Sequence, residues 1–392
     1  MQNLRVLDLH IHSHYSIPSS RDMNVENIYK YALNKGVNVV GSGDVLFPQW
    51  RRELARVLEE NNNGTYSYKK INVILSSEVN LVFEKFGKLR KIHMLVTFPN
   101  FKSVTDFSKA IKSDLTKSAR PTIHVDGKSF VEIAKKVNKA IQIIPAHIWT
   151  PWFGLLGSFS GFDGVDECFE DESANVLALE TGLSADPALC YSVRSLRRFS
   201  LVSFSDAHSP SRIGREAVIL RNVEGYDGIF AAIRSKNDEF VMTIEEFPEN
   251  GKYFADGCRK CKFSSLDFTG QNSLCPICKH PLTKGVYHRI IEMPDHDDKE
   301  YSGIPFVHVI PLEDAIAQSM HLNVVDNRAK IIYNSAIDFF SNEINVLVFE
   351  PISNLKEVLP LNLVEAIELI RLGRVNRIPG YDGVYGKIIL GG

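Results

Sequence analysis

The chain has 392 residues, 44% hydrophobic and 23% charged, which excludes an intrinsically disordered polymer and a single small module and leaves room for two or three domains. Forty-five Lys plus Arg against 47 Asp plus Glu give a net charge of -2, so any contact with nucleic acid has to come from local basic patches and not from a global field. No apolar run reaches the eighteen residues of a membrane span and residues 1–8 lack the layout of a signal peptide, so a cytoplasmic location without membrane contact is expected.

From Leu4 to about Asn237 the sequence repeats one theme: a short apolar run, a polar or ligand-type residue at its end, then a helical stretch. The pattern predicts strands at 4–9, 37–40, 71–75, 92–98, 140–144, 176–179 and 201–204, with helices at 25–35, 49–60, 103–112, 130–138 and 228–235. Alternation of this kind predicts a parallel α/β sheet or a barrel over residues 1–237. Residues 238–290 open on a strand at 239–245 and continue into a Cys-bearing module. The remainder, 291–392, is predicted to be a C-terminal α+β region, largely helical and DNA-binding, with strands at 306–310 and 345–349 and helices at 312–322, 329–340 and 362–372.

Chemistry-bearing residues collect at the ends of the predicted strands. In Val6-Leu7-Asp8-Leu9-His10-Ile11-His12 the period of two puts Asp8, His10 and His12 on one face. The device recurs at Asp206-Ala207-His208, while other candidate strands end at Asp44, Glu78, His147 and Glu180, and His93 lies near the start of its own. In a barrel these groups would gather at the C-terminal face, forming a multinuclear metal site. Imidazole and carboxylate without thiolate suit Zn, Mn, Fe or Mg and leave positions open for water and a substrate oxygen. Two such ions can clamp a phosphate and lower the pKa of a bound water towards ~7, so phosphoester hydrolysis is the expected chemistry.

The segments Asp8-Leu9-His10-Ile11-His12-Ser13, Gly43-Asp44, Glu78, His93, Pro145-Ala146-His147 and Ser205-Asp206-Ala207-His208 resemble the motifs of the PHP (polymerase and histidinol phosphatase) family. The resemblance implies a distorted (β/α)7 barrel with metal-dependent phosphoesterase activity. It also implies two or three divalent ions (Zn, Mn or Mg) held by His10, His12, Asp44, Glu78, His93, His147, Asp206 and His208, with Asp206, His208, His147 and Glu78 as catalytic groups. The chain departs from the phosphatase pattern at Val45, where many members carry His, and at Ser16 to Ser19, where another His is usual.

Within that family the order of Gly41-Ser42-Gly43-Asp44, the run from Pro145 to Gly154, Glu180 to Asp186, Ser205 to Pro210, the Cys module and Pro379 to Gly386 resembles the endonuclease Q group across nearly the whole chain. That resemblance implies a DNA-repair endonuclease cutting 5′ of uracil, hypoxanthine, xanthine or an abasic site in single- or double-stranded DNA, leaving 3′-hydroxyl and 5′-phosphate ends. Two alternatives share its residues: a phosphatase acting on a small phosphomonoester, and a DNA-binding scaffold without catalysis. A replication clamp is a conceivable partner, although the tail carries no recognisable docking motif, and a monomer is the default.

Cys258, Cys261, Cys275 and Cys278 form C-x2-C-x13-C-x2-C, the layout of a zinc ribbon, and predict one structural zinc with no open position. Cys168 and Cys190 are left over and are expected to be buried thiols. The aromatic loop after His147 offers Trp152 and Phe153 as a stacking platform for an extruded base, Ser184 and Asp186 as readers of its polar edge, and Arg197 and Arg198 as phosphate contacts. For Asp186 followed by Pro187 an ordinary helix cap competes with that role.

Overall fold

The computed structural model describes residues 3–267, 274–297 and 303–390. Seven strands build the part that positions the site: β1 (Leu4–Asp8), β2 (Val39–Gly41), β3 (Ile71–Lys85), β4 (Lys88–Phe98), β5 (Gln142–Pro145), β6 (Leu179–Glu180) and β7 (Leu201–Val202). Parallel ladders join β1 to β2 and β2 to β3, antiparallel ladders join β3 to β4 and β4 to β5, and β6 pairs with β7 in parallel. Backbone bonds from Leu177 N to Ile143 O (2.9 Å) and from Ile148 N to Glu180 O (3.0 Å) carry the sequence of pairings from β5 to β6. His12 N to Ala207 O (2.9 Å) then ties the exit of β7 back to the exit of β1. The result is a barrel-like ring in which only β4 runs against its neighbours, a mixed α/β arrangement and not the uniformly parallel one that the alternating pattern suggested.

The departure has a local cause. β3 and β4 pair without a break from Leu75 with Phe98 to Lys85 with Lys88, and Phe86 and Gly87 between them take positive φ of 56° and 68°. Two consecutive left-handed residues make the tight turn whose twist matches a hairpin, so no crossover helix intervenes. Elsewhere the helices sit where the periodicity puts them. Val25–Lys35 is capped by the Asn24 side chain on Asn27 N and stopped by Gly36 at φ 92°. Pro48 opens the helix Pro48–Val57, and Asn100 and Asp126 cap Phe101–Ala110 and Gly127–Val137. The leftover thiols Cys168 and Cys190 are buried in the same apolar core.

Beyond the ring the sheet continues from β1 through β8 (Ala217–Arg221) and β9 (Phe240–Glu246) to β10 (Phe306–Val309), so pairing runs across residue 237 into the later segments. A two-stranded ribbon, Asp256–Cys258 with Phe263–Ser265, carries the first Cys pair. The C-terminal helices Leu312–Ser319, Asn327–Phe340 and Leu361–Arg371 pack on one another and on β10, and Gly380 of the tail bonds back to Glu249 and Ala255. Residues 345–349, expected as a strand, form a helical turn instead. Val346 and Leu347 are buried there, and their carbonyls accept from Arg371 Nη2 and Nε at 2.9 Å. A short apolar run of this length reads the same in either conformation, and the packed helix decides. Among the described residues no helix is long and apolar enough to cross a membrane.

Candidate metal centre and cavity

The two imidazoles that follow β1 are aimed by carboxylates from neighbouring strands. His10 Nδ1 faces both oxygens of Glu180 at 2.9 and 3.0 Å, and His12 Nδ1 faces Asp44 Oδ1 at 3.1 Å. All four side chains are buried. This leaves the Nε2 atoms pointing inward, where His10 Nε2 is buried with no hydrogen-bond partner among the described residues and lies 3.7 Å from Glu78 Oε1 and 3.6 Å from Asp206 Oδ1. An orphaned buried imidazole nitrogen facing two carboxylates is costly as it stands and is what a cation would satisfy.

Three donor groups assemble around these atoms, each with ligand atoms within 4.8 Å of one another: His10, His12 and Glu78; His12, Asp206 and His208; Glu78, His93 and His147. Glu78 and His12 each belong to two groups, so the set reads as one connected centre. His93 Nδ1 stands 2.6 Å and His147 Nε2 3.3 Å from Glu78 Oε1, and His147 Nδ1 is fixed by the Thr150 hydroxyl at 2.6 Å. Of the predicted ligands only Asp44 is set one step back: it accepts from His12, from Ser13 N and from Ser13 Oγ, the last two at 2.7 Å, and belongs to none of the groups. Asp8, expected to converge with the histidines, turns elsewhere. The strand ends at Asp8, and its carboxylate accepts from Ser205 N (3.0 Å) and Gly214 N (2.9 Å), pinning the loop that presents Asp206.

Backbone strain marks the same places. Asp44, His147 and Asp206 follow β2, β5 and β7 with φ of 45°, 30° and 47°, a region non-glycine residues rarely enter, and each is held there by its neighbours. His147 N donates to Glu180 Oε2 at 2.7 Å, and Gly182, at φ 72°, passes so close that a Cβ would stand 2.6 Å from that of His147.

The electrostatics follow from burial set against neighbours. Burial alone would raise the Glu78 carboxyl, but His93, Arg120, His10 and His12 together hold it well below the usual carboxylate range. Asp206 is likewise held low against its burial by His12, His10 and His208. Burial dominates at His93 and pushes it down to about 4, in favour of the neutral imidazole. His10 and His12 are raised against their burial, chiefly by Glu180 and Asp44 respectively.

The centre forms the floor of a cavity of about 830 Å³. Trp152, Phe153 and Ser184 line it, as do His93, His147, Asp206 and His208. Trp152 stacks face to face on Phe159 with centroids 4.7 Å apart, and Phe153 covers the His93 ring at 4.6 Å. Asp186 does not line the cavity; it caps the helix Pro187–Tyr191 through Leu189 N and faces His308 at 3.1 Å. Arg197 and Arg198 also lie off the lining, the first donating to Tyr191 O at 2.8 Å and the second paired with Asp166. Arg120, which carries no signal in the sequence, lies in the cavity wall with Nη1 2.8 Å from Glu78 Oε2. A lone Arg in a loop without a motif gives no signal in sequence.

At the edge of the same cavity, through Tyr253 and Val286, stands the Cys-bearing segment. The sulfurs of Cys258, Cys261, Cys275 and Cys278 lie within 4.8 Å of one another, with Cys258 and Cys278 at 3.6 Å and Cys261 and Cys275 at 3.2 Å, unbridged. Four unlinked thiols at that spacing can hold one metal ion.

Residues 311–374 match the family model described as the MJ0043 C-terminal domain. The Methanocaldococcus jannaschii protein MJ0043 is 30% identical over 249 residues, 61% of this chain, but the match spans only 31% of its own length. The Bacillus subtilis protein YqxK is 27% identical, with 97% of this chain and 98% of its own covered. Among solved structures, the lesion-specific endonuclease PfuEndoQ of Pyrococcus furiosus superposes with a TM-score of 0.87 at 30% identity, covering 99% of this chain and 95% of that one. An endonuclease Q bound to a 27-mer duplex with an abasic lesion at its active site superposes with a TM-score of 0.88 at 31% identity over 99% and 97%. With identity and coverage of this order along the whole fold, the chain belongs to the endonuclease Q family.

Proposed function

We propose that the protein is a DNA-repair endonuclease with a PHP-type barrel. It hydrolyses the phosphodiester 5′ of a deaminated base (uracil, hypoxanthine or xanthine) or an abasic site, leaving 3′-hydroxyl and 5′-phosphate ends. The observation that carries this reading is the connected donor set built on Glu78 and His12, lying at the floor of a cavity with an aromatic wall. The relative crystallised with an abasic duplex supports DNA as the partner.

His10, His12, Glu78, His93, His147, Asp206 and His208 would hold two or three divalent ions, and Cys258, Cys261, Cys275 and Cys278 one structural zinc. Bound there, the divalent ions would supply Lewis acidity and an acidic water, which is the chemistry of phosphoester hydrolysis at neutral pH. The chain's own residues do the rest. Glu180 and Asp44 orient His10 and His12, and Thr150 orients His147. Asp206 and His208, 30% and 27% exposed, are the most exposed of the four donors that line the cavity and so would meet the scissile phosphate. Trp152, backed by Phe159, offers a flat face to an extruded base, and Ser184 a polar group to its edge. Extrusion costs a few kcal/mol and is least costly at a damaged or mismatched pair, which favours lesions over intact sequence.

The test is a competition. Lesion-bearing duplex, undamaged duplex and p-nitrophenyl phosphate are offered to one preparation. A cut confined to the lesion strand supports the proposal, whereas turnover of the small ester without any DNA cleavage would replace it with the phosphatase reading.

A further inference from the structure

Resting on the reading of the site as a phosphodiesterase, we propose that Arg120 is a phosphate-binding residue of the reaction, clamping a non-bridging oxygen of the scissile group beside the metal centre. Its backbone is fixed. Thr122 and Ile123 pair with Asn80 and Leu81 of β3, Asn80 N donates to Pro121 O at 2.9 Å, and Ser118 bonds both the N and the O of Arg120. This pairing lies two residues along the strand from Glu78 and brings the guanidinium to that side chain, where Nη1 donates to Oε2 at 2.8 Å and the Arg120 side chain stays 27% exposed in the cavity wall. One of its five N–H groups is used there, and among the described residues the others have no partner.

The other cations of the cavity make their contacts away from the donor carboxylates. Arg215 gives Nε and Nη2 to Ser205 O, Arg212 pairs with Asp314 at 3.2 Å, and Lys252 lies over the Tyr385 ring. Arg120 is the one among them that touches a donor carboxylate. The scissile phosphodiester gains negative charge as it is attacked, so a fixed positive charge at the edge of the donor set favours the reaction. A planar fork held there offsets the gained charge and matches two oxygens at once.

The test compares wild type, Arg120→Gln and Arg120→Lys. Gln keeps an amide donor for Glu78 and loses the charge. Expected for Arg120→Gln are full divalent-metal content by elemental analysis and a loss of about 10²–10³-fold in kcat/KM. In EDTA, where nothing is cut, the slope of log K against log salt for DNA binding should also be shallower by about 0.9. Arg120→Lys should keep the slope and recover part of the rate. An unchanged slope, or metal content that falls in step with activity, would overturn the proposal and leave Arg120 as a support for Glu78. If wild type cuts no lesion duplex, the parent reading fails, and Arg120 is judged on bis(p-nitrophenyl) phosphate, where Arg120→Gln must lose the same rate.

Discussion

Glu180 and Asp44 donate no atom to the three ligand groups, yet each decides which nitrogen of a histidine faces inward. A carboxylate on Nδ1 fixes the tautomer, stiffens the ring and makes Nε2 more basic. Glu180 does more, because its Oε2 also accepts from His147 N and so sets the strained backbone of a second ligand. Glu180→Gln, which turns an acceptor into a donor towards His10, should weaken divalent-metal affinity or turnover by about 10–100-fold while the fold survives. Titration against a chelator of known affinity checks this, and wild-type affinity would show that the carboxylate has no such role. The placement was partly legible in sequence: strand-end acids and imidazoles announced the centre, but which of them ligate and which orient depends on the third dimension. Asp8, Asp44 and Glu180 all obey the same one-dimensional pattern as the donors.

At the scale of elements, two buried polar contacts hold strands and helices in register. Lys35, at the end of the helix Val25–Lys35, reaches Glu343 at 2.7 Å, and Glu343 also accepts from Leu312 N and the Tyr333 hydroxyl. Both charges are buried, so this pair docks the C-terminal helices on the ring. Removing one partner strands the other, and Glu343→Ala should cost about 3–5 kcal/mol, read as a lower midpoint in urea. Replacement of both by apolar residues of similar volume should return most of the loss.

The second contact lies beneath the site, where the Ser203 hydroxyl faces Glu216 Oε2 at 3.0 Å and Glu245 Oε2 at 2.9 Å. One hydroxyl proton cannot serve two carboxylates, so one acid carries a proton of its own. Burial first, then neighbouring carboxylates, raises both, Glu245 to about 8. Folding therefore favours the protonated form. That stability is complete below the unfolded value near 4.5 and is lost as pH rises through about 8. Glu245→Gln, a permanent mimic of the protonated acid, should raise the melting temperature more at pH 8 than at pH 5, and an equal shift at both would contradict the shared proton.

For the whole molecule, the ring, the Cys segment and the tail meet around one cavity, since Tyr253, Val286 and Tyr385 share its wall with the donor residues. A metal in the four-thiol group would brace that wall from outside the chemistry. Cys258→Ser should remove one zinc per chain and weaken DNA binding, leaving small-ester turnover largely intact; unchanged zinc content would exclude the site. The sequence showed this architecture in outline because the Cys spacing and the helix periodicities are local signals. It hid the antiparallel β3–β4 hairpin, whose turn at Phe86-Gly87 lacks the usual Asn-Gly signature, and it read residues 345–349 as a strand because apolar runs that short carry no period. Asp186, Arg197 and Arg198, expected at the DNA from their places after Glu180 and before the strand that leads to Asp206, make a cap, a carbonyl bond and an ion pair in the structure.

Asp206 gathers the account into one residue, since it joins the donor set, faces the cavity and is presented on a strained turn that Asp8 pins. The decisive measurement is cleavage of an end-labelled duplex carrying a single uracil, mapped to the nucleotide, with wild type beside Asp206→Asn and with added Mg, Mn or Zn. Wild type is expected to make one cut immediately 5′ of the uracil, and the variant to lose at least about 10²-fold in rate at unchanged melting temperature. Wild-type cutting by Asp206→Asn would contradict it.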